Sequence, residues 1–130
     1  MMTGVKRADR PSFDEFTNGY IAAMAEFMAA EGEPISFEDI HESALGEIQT
    51  DCASFQAENA EVLEAAFRRE DYGPFKAGRD FWYARLGEPS EGFWARKVLP
   101  WGLRESLNLA AAKYPMPFPF LEEGKVKLSH

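Results

Sequence analysis

Apolar residues along this chain recur mostly at helical spacing. Phe13, Phe16, Tyr20, Met24, Phe27 and Met28 mark the buried stripe of an amphipathic helix. Ser12-Phe13-Asp14-Glu15 reads as its capping box, and Gly32 and Pro34 stop it, so the first helix is expected at 12–31. Ser36-Phe37-Glu38-Asp39 repeats the cap signal and predicts a short turn at 37–41. Leu45, Ile48, Cys52, Phe55, Asn59, Val62 and Ala66 then form an unbroken three-four seam, predicting one long helix over 43–69. Asn59 is the only polar member, expected to bond a neighbour at the seam's edge. A turn at Asp71–Pro74 leads into a helix over 74–86, with Phe75, Phe81 and Trp82 inward. After the loop Gly87–Gly92, a further helix over 101–113 places Leu103, Leu107, Ala110 and Tyr114 on one face. Pro115, Pro117 and Pro119 forbid helix beyond it. The segments 118–121 and 125–128 flank Glu122-Glu123-Gly124 and read as a short hairpin. The expected fold is a mainly α (α+β) bundle of four to five helices closed by a C-terminal β-hairpin. Residues 1–11 are read as a flexible tail and 12–130 as one domain, a size that buries roughly two-thirds of its unfolded surface.

Charge changes this picture. From Pro11 to Phe67 there is no Lys or Arg, yet there are thirteen carboxylates; residues 1–10 sum to +2 and 68–130 to +3, within a net charge of −8. A field with one negative side selects partners by charge. It argues against direct nucleic-acid binding, which needs clustered Lys and Arg. On the long helix, Glu47, Asp51, Glu58 and Glu61 fall on one flank beside the seam. Neighbouring like charges are mildly destabilising, so this stripe is a candidate interface. A single cysteine, Cys52, fits a reducing cytoplasm and lies on the apolar seam as a buried thiol. No signal peptide or membrane-spanning run is read, so a cytoplasmic protein of a bacterial host cell is expected.

Catalytic equipment is sparse. The chain has two histidines, His41 and His130, no GxSxG elbow and no Gly-rich phosphate loop. No metal site and no cofactor are expected. The densest constellation is Ala77–Gly87, continuing into Gly92-Phe93-Trp94. Structurally, Gly78 would permit close helix contact, while Trp82 and Phe93 fill the core. Functionally, Asp80, Trp82, Tyr83, Arg85 and Trp94 would form an aromatic and guanidinium anchor, the residue types that dominate interface hot spots.

This constellation resembles a stretch, QAGHDFWLTRNGHGAGFWDRG, shared by small proteins of bacteriophages, prophages and plasmids. Ala77-Gly78, Asp80-Phe81-Trp82, Arg85, Gly87 and Gly92-Phe93-Trp94 match it. Upstream, Asp51-Cys52 with Phe55, Asn59 and Leu63 is similar to that family's acidic helix, and Glu123-Gly124-Lys125 to its terminal turn. Arg79 stands where the motif has its first histidine, Leu86 replaces its asparagine, and the loop 87–92 lacks the second histidine. The resemblance implies an origin in a mobile element and carries no activity.

The leading expectation is a small acidic accessory protein of a phage or mobile element. It would bind and inhibit a host protein with a basic surface, such as a nucleic-acid-handling defence complex of the anti-CRISPR or anti-restriction type. The alternatives are a small enzyme with Asp80 or Glu91 as base and Arg85 as anion binder, or a phage structural or regulatory binding module. The partner is expected to be a host or phage protein, with no membrane, and the chain to be a monomer or homodimer.

Overall fold

A computed structural model describes residues 13–88 and 90–130. The tail expected over 1–11 and the cap assigned to Ser12 lie outside the described residues. Among those described there are five α-helices and a two-stranded hairpin: α1 (Glu15–Ala30), α2 (Glu42–Glu58), α3 (Ala60–Phe67), α4 (Pro74–Leu86), α5 (Trp101–Ala111), β1 (Phe118–Glu122) and β2 (Lys125–Ser129). Short 3-10 turns at Phe37–Asp39 and Phe93–Ala95 complete the order. The mainly helical bundle closed by a hairpin is the architecture read from the pattern.

Helix α1 starts three residues later than expected. Its cap is Asp14, whose carboxylate accepts the Thr17 amide at 2.8 Å. Burial raises that carboxyl's pKa, but the hydrogen bonds from Thr17 and Gln56 outweigh it and hold the group below its ordinary value. Residues 43–69 form two helices rather than one. Asn59, at φ −121° and ψ 27°, leaves helical geometry, and its Nδ2 donates to the Phe55 carbonyl at 2.9 Å. The bond to a neighbour agrees with the sequence reading; the break was not anticipated. Beyond it the buried position moves to Leu63, while Val62 is only half-buried.

Helices α1 and α4 form the centre of the bundle, crossing backbone against backbone. A Cβ on Gly78 would stand 1.8 Å from the Phe16 carbonyl oxygen, and one on Gly19 would stand 2.0 Å from that of Phe75. Only two glycines facing each other permit so close an approach. Around the crossing, Phe55 stacks on Phe81 with centroids 4.1 Å apart, and Phe16, Phe93 and Tyr114 gather on the same pair. Phe81 and Trp82 point inward as expected, but Phe75 does not. It is 39% exposed, because Gly19 meets the Phe75 backbone and turns its ring out.

The hairpin turns through Glu123 (φ 53°) and Gly124 (φ 80°), the two left-handed residues of a type I′ turn. Its register pairs Phe118 with Ser129 and Glu122 with Lys125. Val126 is fully buried, and its carbonyl accepts the His41 amide at 2.9 Å beside a parallel bridge to Ile40. One strand thus ties the C-terminus to the entrance of α2. No helix among the described residues is long and apolar enough to cross a membrane.

Candidate functional site

Arg85, in the last turn of α4, is the most heavily partnered charge in the described chain. Its Nη1 donates to the Tyr20 hydroxyl at 2.8 Å and meets Asp51 Oδ2 at 3.0 Å, and its Nη2 donates to the Pro115 carbonyl. The guanidinium lies 5.3 Å from the Phe81 ring centroid, 5.6 Å from Tyr114 and 5.8 Å from Tyr20. Rings on several sides and one carboxylate make a low-dielectric box in which a cation is held by hydrogen bonds, charge and ring quadrupoles together. Burial also pushes the Tyr20 phenol's pKa well above its ordinary value. Its Nε is buried without a hydrogen-bond partner, as is that of Arg104.

Asp80 is the second buried charge, 1% exposed. Both its oxygens accept from Arg96 Nε, at 2.9 and 3.0 Å, and Oδ2 also accepts the Tyr72 hydroxyl at 2.8 Å. Burial drives its carboxyl above the usual range, with Arg96 and Tyr72 opposing that rise. Asp80 and Arg85 therefore face different partners, and each is engaged by groups of its own chain. The pair does not form the exposed base-and-anion-binder arrangement that the enzyme reading requires.

The aromatic and guanidinium anchor is likewise not one surface. Trp82 is fully buried, packed between Phe27 and Tyr83 with centroids 5.1 and 5.2 Å away. Asp80 and Arg85 are buried as just described. Tyr83 is half-buried and donates to Glu26 at 3.2 Å. Trp94 leaves the group and pairs instead with Trp101, at 6.0 Å, where Trp101 is 57% exposed. Trp101 was not among the sequence candidates. An aromatic directly after Pro100, at the first position of a helix, was the signal that could have found it.

The acidic flank also divides. Asp51 pairs with Arg85; Glu47 pairs with His130 at the other end of the chain. Glu58 accepts the Tyr114 hydroxyl at 2.9 Å. The break at Asn59 carries Glu61 onto the separate helix α3, where it stays exposed. Three of the four stripe residues thus bond to the C-terminal half and help hold the two halves together. Arg79 does the same from the other side, gripping Glu26 through two bonds of 2.6 and 2.9 Å. Those bonds depress the Glu26 carboxyl's pKa.

Cys52 is fully buried, and burial pushes its thiol pKa far up, so it is inert as a nucleophile. His41 caps α2, with Nδ1 accepting the Ser43 amide at 3.0 Å. Among the described residues, no three His, Cys, Asp or Glu side chains converge as metal ligands would.

Compared with protein-family models, with curated proteins and with solved structures, the chain has no match.

Proposed function

We propose that this chain is a small acidic accessory protein of a phage or related mobile element that binds a host protein with a basic surface and inhibits it. A nucleic-acid-handling defence complex is the target class. The observation that carries the reading is the distribution of charge. With the internal pairs set aside, Glu15, Glu31, Glu33, Glu42 and Glu61 remain exposed on a half that contains no Lys or Arg. Such a surface attracts basic proteins, repels nucleic acid, and speeds encounter at low salt. The engagement of the Asp80 carboxylate and of both terminal nitrogens of Arg85 by their own chain favours this reading over the enzymatic one.

Capture of host proteins from a bacterial lysate on the immobilised chain, at low and at physiological salt, tests it. A basic protein complex should be retained, retention should weaken as salt rises, and the captured complex should lose its activity on nucleic acid. The control is Glu31→Lys/Glu33→Lys. Reversal at Asp51 is unsuitable, since it would break the Arg85 box and read folding instead of binding. Retention unaffected by both salt and charge reversal would sink the proposal.

A further inference from the structure

The N-cap of α2 is a histidine, and the bond it makes allows only one protonation state. A backbone amide can only donate, so the 3.0 Å approach of the Ser43 amide to His41 Nδ1 requires a lone pair on Nδ1 and places the ring's single proton on Nε2. The Ser43 hydroxyl lies 2.8 Å from the same nitrogen and is a second donor to that lone pair. Protonation of Nδ1 reverses the arrangement. The hydroxyl can turn its own lone pair to the new N–H, but the amide cannot change role and is left facing a donor. The cation would also stand at the positive end of the 17-residue helix. The usual cap side chains, Ser, Thr, Asp and Asn, keep their acceptor throughout the neutral range. An imidazole caps only while its acceptor nitrogen is bare, and imidazoles exchange that proton between about pH 5 and 8.

The same residue fastens the hairpin. The His41 amide donates to the Val126 carbonyl at 2.9 Å, and Ile40 beside it makes the parallel bridge to Val126, the one fully buried residue of the two strands. An open recess of about 320 Å³, lined by Ile40, His41, Glu42 and Lys125, brings solvent to the ring. The charged groups around it come from four elements. They are Glu42 of α2, Glu38 and Asp39 of the preceding 3-10 turn, Glu122 of β1 and Lys125 of β2. Lys125 donates to the Glu38 carbonyl at 2.8 Å, Asp39 accepts the Ser36 amide at 2.9 Å, and Glu122 is bound by Lys127 at 2.6 Å.

We propose that His41 is a proton-operated latch. Neutral, it caps α2 and keeps the hairpin's tie shut; protonated, it frees the first turn of α2 and with it the Ile40–His41 tie to Val126. The contribution is therefore present at higher pH and lost as the pH falls through the imidazole range. His130 works in the opposite direction. Its contact with Glu47 is an ion pair only when the ring is charged, so acid strengthens this second fastening between the chain's end and α2. Acidification thus moves the hairpin's hold from the entrance of α2 to its second turn. The latch is independent of what the acidic surface binds.

Urea unfolding of the full chain at pH 7.5 and pH 5 tests it in wild type, in His41→Asn (a cap with no titrating proton) and in His41→Ala (no cap). At pH 7.5 the wild type should match His41→Asn, while His41→Ala should have a folding constant lower by about fivefold, the size a lost cap typically carries. At pH 5 the wild type should fall by about the same factor below His41→Asn, to the level of His41→Ala or under it. His130 is present in all three proteins, so its pair with Glu47 cancels from these differences. Amide hydrogen exchange, corrected for the intrinsic rate at each pH, reads the tie itself. Protection at residue 41 should drop severalfold between pH 7.5 and pH 5 in the wild type and stay constant in His41→Asn. A gap between wild type and His41→Asn that does not change with pH would overturn the latch, and so would constant protection at residue 41 in the wild type.

Discussion

Gly78→Ala tests the centre of the fold at a single methyl group. The added Cβ would lie 1.8 Å from the Phe16 carbonyl oxygen, 2.7 Å from its carbon and 3.0 Å from the Tyr20 nitrogen. All three are backbone atoms of α1, so no side chain can swing aside. To restore ordinary contact the two helices must separate by roughly 1.5 Å, and gaps of 0.5–1 Å already forfeit a quarter to a half of the dispersion energy across an interface. Overpacking of this kind typically costs about 1–3 kcal/mol, more where the backbone cannot relax. Alanine returns ~1 kcal/mol through helix propensity. At the upper end of that range the net expectation is a loss of about 2 kcal/mol, or roughly 7 °C in Tm for a domain of this size. Thermal and denaturant unfolding followed by circular dichroism would measure it. Gly19→Ala should behave alike, its Cβ meeting the Phe75 carbonyl oxygen at 2.0 Å. The double variant should lose less than the sum of the two, because one separation relieves both clashes. Gly46→Ala, on the open side of α2 with nothing within 4 Å, should instead gain about 0.5–1 kcal/mol. A Gly78→Ala protein melting at or above the wild type would refute the glycine-on-glycine crossing.

Further outcomes follow from the buried charges and the exposed pairs. Arg85→Met should destabilise by about 3–5 kcal/mol, since Asp51, Tyr20 and the Pro115 carbonyl all lose their donor; urea unfolding checks this, and Arg85→Lys should fail to restore it because a single ammonium cannot span three acceptors. Tyr72→Phe should lose ~1–2 kcal/mol by removing a donor from buried Asp80, measured in the same way. The Glu26–Arg79 pair should show itself through pH. Because the native carboxyl is depressed, its contribution of about 0.5–1 kcal/mol is fully present above the ordinary value of 4.5 and is lost as the pH falls below it. The stability difference between wild type and Glu26→Gln, followed by urea midpoints from pH 7 to pH 3, should therefore shrink towards zero in acid. A difference independent of pH would refute the pairing.

Helix periodicity carried most of the architecture, since a stripe such as Phe16, Tyr20 and Met24 has only one way to be buried. The hairpin was equally legible, because Glu-Gly between two apolar segments fits the left-handed geometry of a two-residue turn. Other features escaped for physical reasons. Ser12 and Asp14 are both good caps, and propensity cannot choose between candidates two residues apart. Asn59 continues the seam's spacing perfectly, so periodicity ran through a break at which its side chain bonds the Phe55 carbonyl one turn back. Gly19 interrupts an otherwise good helix at a cost near 1 kcal/mol, a signal of close packing that a reader of the sequence could have used. No rule of spacing connects Asp51 with Arg85, or Glu47 with His130. A carboxylate stripe on one helix looks the same in sequence whether it faces solvent or the other half of its own chain.

The same distinction governs the Asp80–Trp94 constellation, the most specific stretch of the sequence. Each of its members has a packing or bonding task in the fold. Gly78 admits α1, and Asp80 is bound by Tyr72 and Arg96; Phe81, Trp82 and Phe93 are fully buried. Arg85 binds three elements, and Gly87 ends α4 in the left-handed conformation at φ 84°. Gly92, at φ 81°, lets the returning chain pass close to α4, where an added Cβ would lie 3.2 Å from the Ala84 amide nitrogen. A motif this constrained is demanding because it holds a helix crossing and a buried cation in place, and that requirement alone restricts its residues without any reaction to perform. On the proposed function, recognition falls to side chains the packing does not occupy, the carboxylates left exposed on the base-free half. Substitutions inside the constellation should accordingly impair folding and binding together, while Glu31→Lys/Glu33→Lys should weaken binding in a protein that melts as the wild type does. If the stability of that variant falls in step with its affinity, the separation of holding residues from recognising residues is wrong.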